Sequence, residues 1–256
     1  MTPSVSVVCS VRDGARFLEP ALRSVLTQSY RDFELIVIDD GSTDDTSEIL
    51  ERIAAEDPRV RTVHQPHAGL TRSLNTGLGL ARGALVARQD ADDISLPHRF
   101  ADQVRFLQAR PEHLVVGTRY ETIDETGKVK RRHRPPLLDF RIRLQLLTAN
   151  ALAHSSVMFR REVILELGGY DESFTTAQDY ELWCRVAMRG RLANLRRIGL
   201  QRRRHTESIS SMHAEAQRAA RDLIRDRYRR ALRSFEGPPG LGHRLVRIIG
   251  SMSEGR

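Results

Sequence analysis

The sequence contains little cysteine and no long apolar run, and both absences exclude classes of protein. Its two thiols, Cys9 and Cys184, lie far apart and near no histidine cluster, so neither a disulfide framework nor a zinc site is expected. No segment approaches the roughly 18 consecutive apolar residues of a membrane span. The amino terminus also lacks the basic and apolar regions of a signal peptide. We therefore expect a cytoplasmic protein.

Glycine-rich phosphate loops are missing as well. The glycines between residues 77 and 83 are spaced G-x-G-x-x-x-G within a predicted helix, whereas a dinucleotide site needs a glycine-rich turn between a strand and a helix. A nucleotidyltransferase usually begins with a glycine-rich loop that carries an arginine, and this chain does not. Both classes are therefore disfavoured.

Positive charge is distributed unevenly along the chain. The net charge is +8, yet residues 1–200 are nearly neutral, with 28 basic and 27 acidic side chains. Residues 201–256 carry 13 arginines, no lysine and 6 acidic residues, so the excess lies in a carboxy-terminal tail. We therefore divide the chain into a globular domain at 1–210 and an arginine-rich helical extension at 211–256.

The extension has the pattern of a basic amphipathic helix. Ala216, Ala220, Leu223 and Ile224 form an apolar stripe beside arginines at three- and four-residue intervals. These arginines are Arg218, Arg221, Arg225, Arg229 and Arg233. Such a helix either contacts anionic lipid on the inner face of the plasma membrane or packs on the globular domain, and the pattern leaves both open. Nucleic acid is an unlikely partner because aromatic residues for base stacking are scarce in the tail.

The globular part predicts an α/β fold. Over the first hundred residues, short β-branched runs alternate with helical patterns, as in a mostly parallel sheet flanked by helices. The predicted strands lie at 5–8, 35–38, 60–63 and 84–87. Later elements are a hairpin at 120–131 that turns at Thr126 and Gly127, a strand at 155–159, and helices at 140–147 and 179–186. Ser95 is predicted to cap the helix that carries Phe100.

Acidic residues directly follow two of the predicted strands. Asp39 and Asp40 come after one strand, and Asp90 and Asp92 come after another. Ligands of open parallel sheets bind beyond the carboxyl ends of the strands, so both pairs should border one crevice. Carboxylates there could accept a hydrogen bond from a nucleotide base and bind Mg²⁺ or Mn²⁺ on a diphosphate. The D-x-D spacing alone is more typical of aspartates that cap loops.

Several motifs occur in the order typical of one enzyme family. The strand VSVV at residues 5–8 is followed by FELIVIDDGSTD at 33–44 and by the segments at 69–75 and 84–97. Further matches are AHSSVMFR at 153–160, GGYDESF at 168–174 and QDYELW at 178–183. Between about residues 4 and 210, the chain resembles the inverting family 2 glycosyltransferases of GT-A fold, a Rossmann-like α/β architecture.

The resemblance implies roles for the donor-side residues. Asp40 would accept a hydrogen bond from the base, and Ser10, Arg12 and Asp13 would line the base and ribose pocket. Family members commonly have Tyr-Asn where this chain has Arg12-Asp13, which leaves the base open, with uracil as the first choice. Arg72 matches a basic residue that contacts the donor, and its guanidinium suits bidentate phosphate binding.

The resemblance also implies metal, catalytic and acceptor-side residues. Asp92 matches the ligand of a divalent cation, Mn²⁺ or Mg²⁺, with Asp90 as the partner acid. Asp179 matches the catalytic base, although an acid there is otherwise explained as a first-turn helix residue. His205 resembles a histidine that closes over the diphosphate, and an ordinary surface histidine is the alternative. His154 either contacts the acceptor or forms a hydrogen bond within the core.

Together these features predict a metal-dependent glycosyltransferase. It would move a sugar from a nucleotide-diphosphate donor, with UDP-sugar as the first choice, to an acceptor hydroxyl with inversion. The resemblance implies a saccharide or lipid-linked acceptor in cell-surface polysaccharide or glycolipid biosynthesis. The alternative is a module that binds anionic surfaces or nucleic acid through its basic tail.

Overall fold

Strands and helices alternate through the first hundred residues, in a computed structural model that describes residues 2–205 and 214–233. The elements are β1 (Val5–Val11), α1 (Ala15–Leu26), β2 (Phe33–Asp39), α2 (Thr46–Glu56), β3 (Val60–His64), α3 (Leu70–Leu80), β4 (Leu85–Asp90), β5 (Ile94–Ser95) and α4 (Arg99–Ala109). Strands β3, β2, β1 and β4 lie side by side in parallel. The four predicted strands are therefore confirmed, and their carboxyl ends meet at one edge of the sheet.

The sheet is buried on both faces, as its continuous apolar runs predict. Successive residues of β1 point to opposite sides because side chains alternate along a strand. Val7 and Cys9 pack in one core layer with Leu18 of α1. Val8 packs in the other layer with Leu74 of α3. Helices thus cover both faces and leave the strand ends free to form a site.

The second half of the chain extends the sheet. Its elements are β6 (His113–Ile123), β7 (Val129–His133), α5 (Asp139–Leu146), a 3-10 helix (His154–Ser156), β8 (Met158–Arg160), α6 (Arg161–Glu166), α7 (Gln178–Ala187) and β9 (Arg191–Arg203). Strand β8 lies antiparallel between β4 and β6, and β6 runs parallel to β9. Within the described residues the sheet has nine strands, in the order β3-β2-β1-β4-β8-β6-β9-β5 with β7 beside β6. The predicted hairpin is confirmed, and Gly127 takes a left-handed φ of +87° at its turn.

The predicted helix cap at Ser95 is wrong. Ser95 pairs with Leu200 in the short β5–β9 ladder, and α4 begins four residues later at Arg99. The Ser95 hydroxyl donates to Gln89 Oε1 at 2.7 Å and accepts from Arg99 Nη1 at 2.7 Å. A buried polar network therefore uses the hydroxyl that the sequence rule assigned to a helix end.

The described part of the arginine-rich extension is one helix, α8 (Ala214–Arg233), packed on the domain. Ile224, Tyr228 and Leu232 are buried in the same core cluster as Trp183 of α7. Leu223, which was predicted on the apolar stripe, is 44% exposed, so the buried face is rotated from the predicted one. Two arginines of α8 are used locally: Arg229 donates to the Leu147 carbonyl at 3.0 Å, and Arg227 stacks on Phe174.

This packing bears on the predicted membrane contact. The apolar side of α8 is covered by the domain, which leaves exposed arginines as the surface for an anionic partner. None of the helices in the described residues has the length and apolar character that crossing a bilayer requires. Contact with the membrane surface stays a prediction. The proposed boundary at 210/211 and the part of the predicted extension at 234–256 lie outside the described residues.

Candidate active site

A cavity of about 730 Å³ opens at the carboxyl ends of β1 and β4. Its walls also include the start of α7, the end of β9 and the first turns of α8. We call it the active-site cavity. The structure brings most of the predicted site residues to it, namely Ser10, Arg12, Asp13, Asp90, Asp92, His154, Asp179 and His205. Of the predicted residues, Asp40 and Arg72 are not in its lining.

Two carboxylates at the end of β4 differ in their charge partners. Arg88, only 1% exposed, donates to Asp90 Oδ1 and to the Val8 carbonyl. Burial would raise the pKa of Asp90, but the Arg88 charge outweighs it and holds that pKa below its ordinary value. Asp92 instead lies 3.0 Å from Nε2 of His205. Burial, and then the charge of Asp90, raise the pKa of Asp92 above its ordinary value.

A third carboxylate, Asp93, connects this loop to strand β9 through a hydrogen bond. Asp93 is 1% exposed, and its Oδ1 accepts from the backbone N–H of Arg203 at 2.8 Å. Burial, followed by the charges of Asp92 and Asp90, raises its pKa well above the ordinary value. The Arg203 side chain donates to the carbonyls of Asp92, Asp124 and Glu125. Strand β9 therefore clamps the acidic loop in place.

Asp179 lies in the first turn of α7 and faces the same cavity. Its Oδ2 accepts from the Asn150 amide at 2.7 Å, and its Oδ1 accepts from the Tyr180 N–H at 2.8 Å. Burial raises the pKa of Asp179 to about 6, and the charge of Asp90 adds to this, although both hydrogen bonds oppose it. The preceding Ala177 takes a left-handed φ of +58°, a strained conformation for a residue with a Cβ. A carboxylate with a pKa of about 6, like that of Asp179, can accept a proton near neutral pH.

His154 belongs mainly to the packing around the cavity. Its Nε2 lies 2.9 Å from the Tyr170 hydroxyl, and its ring contacts those of Tyr170 and Trp183. Burial, and then the charge of Arg88, lower the pKa of His154 to about 3, so the ring is neutral. Of the two roles left open for His154, these contacts favour the structural one.

The donor-side loop is rigidly connected to the strand ends. Asp13 takes a left-handed φ of +48°, and its carboxylate accepts from the Thr43 N–H at 2.7 Å. Arg12 Nη1 lies 2.8 Å from His67 Nε2, and His67 Nδ1 lies 2.8 Å from Asp40. Because a guanidinium only donates, Nε2 of His67 must accept and its Nδ1–H must donate to Asp40. Arg12 on the cavity wall is therefore linked to Asp40 through a neutral histidine.

Asp40 itself is enclosed by protein donors. Besides His67, its carboxylate accepts from Gln65 and from the backbone N–H groups of Ala68 and Gly69, at 2.8 to 2.9 Å. Burial would raise the pKa of Asp40, but these donors hold it below its ordinary value. Gly41 permits this close packing, because a Cβ at residue 41 would lie 2.8 Å from the backbone nitrogen of His67. The role of Asp40 at the base stays a prediction that requires one of these donors to be displaced.

Arg72 does not line the cavity. Its side chain is 65% exposed on α3 and pairs with Glu172 at 3.0 Å. The GGYDESF segment, which carries Glu172, thus holds the guanidinium on the outer surface. Contact of Arg72 with a donor would need this ion pair to open, and the assignment stays a prediction.

The residues around Asp92 suit a hard divalent cation shared with a diphosphate. The described residues contain no cluster of three acidic, histidine or cysteine side chains that would hold a metal by themselves. Mg²⁺ usually takes one or two protein carboxylates and completes its shell with water and phosphate oxygens. Asp92 keeps 28% of its side chain exposed and has His205 beside it, whereas Asp90 is engaged by Arg88. Asp92 is therefore the residue best placed to act as first ligand, with His205 and Asp90 next to it, and this metal assignment stays a prediction.

Sequence patterns did not indicate several residues that organise the site. Arg88 is a charged residue inside an apolar strand, and Asn150 lies in an irregular segment without periodicity. Tyr120 and His133 of the hairpin, Arg134 after it, and Arg221 of α8 also line the cavity. Only the position of Arg88, two residues before an acid at a strand end, could have served as a signal.

Comparisons with known proteins agree with this geometry. The sequence profile of glycosyl transferase family 2 matches residues 6–168. The O-antigen biosynthesis glycosyltransferase WbnJ of Escherichia coli is 32% identical over 185 residues, 71% of this chain and 71% of that protein. S. aureus TarS in complex with UDP-GlcNAc superposes with a TM-score of 0.76 at 16% identity, over 96% of this chain and 71% of the other.

A second structure carries a donor and a metal. The mannosyltransferase PcManGT from Pyrobaculum calidifontis, in complex with GDP-Man and Mn²⁺, has a TM-score of 0.69 at 22% identity, over 98% of this chain and 70% of the other. At these identities the structural likeness establishes the fold. The predicted GT-A fold is therefore confirmed.

Proposed function

This chain belongs to glycosyl transferase family 2, and we propose that it transfers a sugar from a nucleotide diphosphate to an acceptor hydroxyl with inversion at the anomeric carbon. A UDP-sugar is the preferred donor. TarS binds UDP-GlcNAc and PcManGT binds GDP-Man, which supports a nucleotide-sugar donor without deciding the base. WbnJ is named as an enzyme of O-antigen biosynthesis, which supports a role in cell-surface polysaccharide or glycolipid biosynthesis. The acceptor in this proposal is a saccharide or a lipid-linked molecule.

One observation carries this proposal: Asp179 shares a cavity with Asp90 and Asp92, which come from a distant part of the chain. A single displacement needs a base beside the acceptor hydroxyl and a positively charged group beside the leaving diphosphate. Asp179 has the raised pKa of a base that works near neutrality. A divalent cation bound by Asp92, beside Asp90 and His205, would neutralise charge on the leaving diphosphate.

The chain's own residues perform the remaining tasks. Asn150 orients the Asp179 carboxylate, which accepts the proton of the attacking hydroxyl. Arg88 keeps Asp90 ionised and in place, and β9 fixes the acidic loop through Asp93. Ser10, Arg12 and Asp13 form the wall beside β1, where the base and ribose would bind.

The substitution Asp179→Asn tests the proposal directly. We expect transfer to fall about 10²- to 10⁴-fold, the usual contribution of a general base, because an amide cannot accept the proton. Binding of UDP in Mn²⁺, measured by calorimetry, should stay unchanged because Asp179 does not contact the diphosphate in this scheme. The matched control is Asp226→Asn, an acid whose side chain is 64% exposed on α8 and not part of the cavity lining. Full transfer by the Asp179→Asn enzyme would remove Asp179 from the role of base.

A further inference from the structure

We propose that this enzyme uses an acceptor that carries an anionic group, a phosphate or a carboxylate, and binds that group through four arginines on the cavity wall. Arg134, Arg202, Arg204 and Arg221 all line the active-site cavity, and we call them the basic wall. The inference rests on the proposed function, because it names the class of acceptor for the same site.

The four guanidinium groups differ in their partners from the arginines of the buried ion pairs. Arg88, Arg143 and Arg185, for example, pair with Asp90, Asp139 and Glu181. Within residues 2–205 and 214–233, no arginine of the basic wall forms an ion pair with a carboxylate. Four acids, Asp90, Asp92, Asp93 and Asp179, also line the cavity, but none of them lies within ion-pair distance of the basic wall. Clustered charges without such a partner attract ligands of the opposite sign. An anionic ligand is therefore the missing counterpart.

An aromatic platform lies next to these arginines. Tyr120 and His133 face each other across the β6–β7 ladder, and their rings stack at 4.4 Å with an angle of 5°. The Arg202 guanidinium lies 5.8 Å from the Tyr120 ring centre. Burial, and then the charges of Arg131, Arg202 and Arg204, lower the pKa of His133, so the ring stays neutral. A flat, uncharged surface bordered by cations suits a sugar ring that carries an acid group.

The position of the basic wall favours the acceptor over the donor. Arg202 lies in β9, Arg204 follows that strand, and Arg134 follows β7. In the sheet, β7 and β9 lie on the opposite side of β4 from β1 and β2, beside which the base and ribose are expected to bind. Asp179 and Arg221 line the same cavity. The group that Asp179 deprotonates belongs to the acceptor, so arginines in this part of the cavity would contact the same molecule.

Two sources of the anionic group can be separated with three probes of equal chain length. Hexyl diphosphate represents a lipid-linked acceptor, hexyl β-glucuronide represents an acidic sugar, and hexyl β-glucoside is the neutral control. Binding to the full chain would be measured by calorimetry with UDP and Mn²⁺ at saturation, so that the donor site is occupied. We expect one or both anionic probes to bind at least about tenfold more tightly than the glucoside, as one charge-assisted hydrogen bond provides. The tighter of the two identifies the source.

Charge-removing variants then locate the binding groups. Arg204→Gln and Arg221→Gln should each weaken the preferred anionic probe about tenfold and leave the glucoside and UDP unaffected. Arg105→Gln, a change at an 80% exposed arginine on α4 outside the cavity lining, should have no effect. Equal binding of all three probes would overturn the inference, and so would a loss of UDP affinity in place of probe affinity. Failure of the proposed function itself would appear separately, as absence of UDP binding in the unmodified protein.

Discussion

The most informative single residue is Asp179, because its environment decides when it can accept a proton. Burial raises the pKa of this carboxyl to about 6, while Asn150 and the Tyr180 N–H stabilise its charged form. Around pH 7 most molecules therefore carry the ionised form, and its basicity is greater than that of an exposed aspartate. This balance is what a general base requires.

The rate of transfer should consequently depend on pH through Asp179. Only the ionised carboxylate can act, so kcat should be constant above pH 7 and fall about tenfold per pH unit well below pH 6. The Asn150→Leu variant loses a hydrogen bond to the charged form, so its pKa should rise and the acidic limb should move to higher pH. Initial rates between pH 5 and 9 at saturating donor and acceptor measure both profiles.

The shift between these profiles is the critical observation. A control variant, Gln217→Leu, removes a polar side chain that also lines the cavity but is not a hydrogen-bond partner of Asp179, and its acidic limb should match the unmodified enzyme. An Asn150→Leu profile that coincides with the unmodified one would show that another group sets the limb.

At this scale, sequence reasoning found the acids but not the groups that tune them. Asp90, Asp92 and Asp179 are recognisable because they stand in motifs with a fixed order. Arg88 and Asn150 are not, because their effect arises only when β1, β4 and α7 come together in the fold. The positions of Asp40 and Arg72 depend on partners from other elements, His67 and Glu172, which motif order cannot show.

At the scale of elements, regular patterns were predicted and irregular ones were missed. Strands β1, β2 and β4 are continuous apolar runs, and the stripes of α1 and α3 have helical spacing. Strand β9, which holds the acidic loop in place, was not predicted. Its buried and exposed residues do not alternate regularly, so its sequence lacks the pattern of a half-buried strand. Its register with β6 shifts at three places, and each shift turns the following side chains to the other face.

Helix α8 offers a test of how an element is attached. Leu232 is 1% exposed against the core, whereas Leu223 of the same helix is 44% exposed. Leu232→Ala should lower the free energy of unfolding by about 2–5 kcal/mol through lost burial and a residual cavity. Leu223→Ala, the same chemical change, should alter it by less than about 1 kcal/mol. Urea denaturation followed by circular dichroism measures both values.

The difference between the two leucine variants also shows whether the basic extension packs on the domain or is free to contact a membrane surface. Similar small losses for both leucines would mean that α8 is not held on the domain, and the membrane surface would then become its more plausible contact. A large loss confined to Leu232 would make the helix an integral wall of the active-site cavity, to which it supplies Gln217 and Arg221.

At the scale of the whole molecule, the cavity combines charges that the folded chain does not neutralise alone. Asp90, Asp92, Asp93 and Asp179 line it, and the basic wall borders it. Burial, and then repulsion from neighbouring carboxylates, raise the pKa values of Asp92 and Asp93, as expected where acids are collected without a bound cation. A divalent cation would offset the charge of the acids and would itself be balanced by the donor diphosphate, so these two ligands should bind cooperatively.

Thermal stability should report this cooperation. At a hundredfold excess over its dissociation constant a ligand adds about 2.7 kcal/mol, which corresponds to a rise in Tm of about 5–10 °C for a chain of this size. We expect Mn²⁺ and UDP together to raise Tm by such an amount, and by more than the sum of their separate effects. Asp92→Ala should abolish the part that depends on Mn²⁺, while Asp226→Ala, at an acid 64% exposed on α8, should preserve it. If Mn²⁺ still raised the Tm of Asp92→Ala, the cation would have to bind elsewhere. In the described residues, Asp92 is the only carboxylate of the β4 loop that is exposed to the cavity and has no arginine partner.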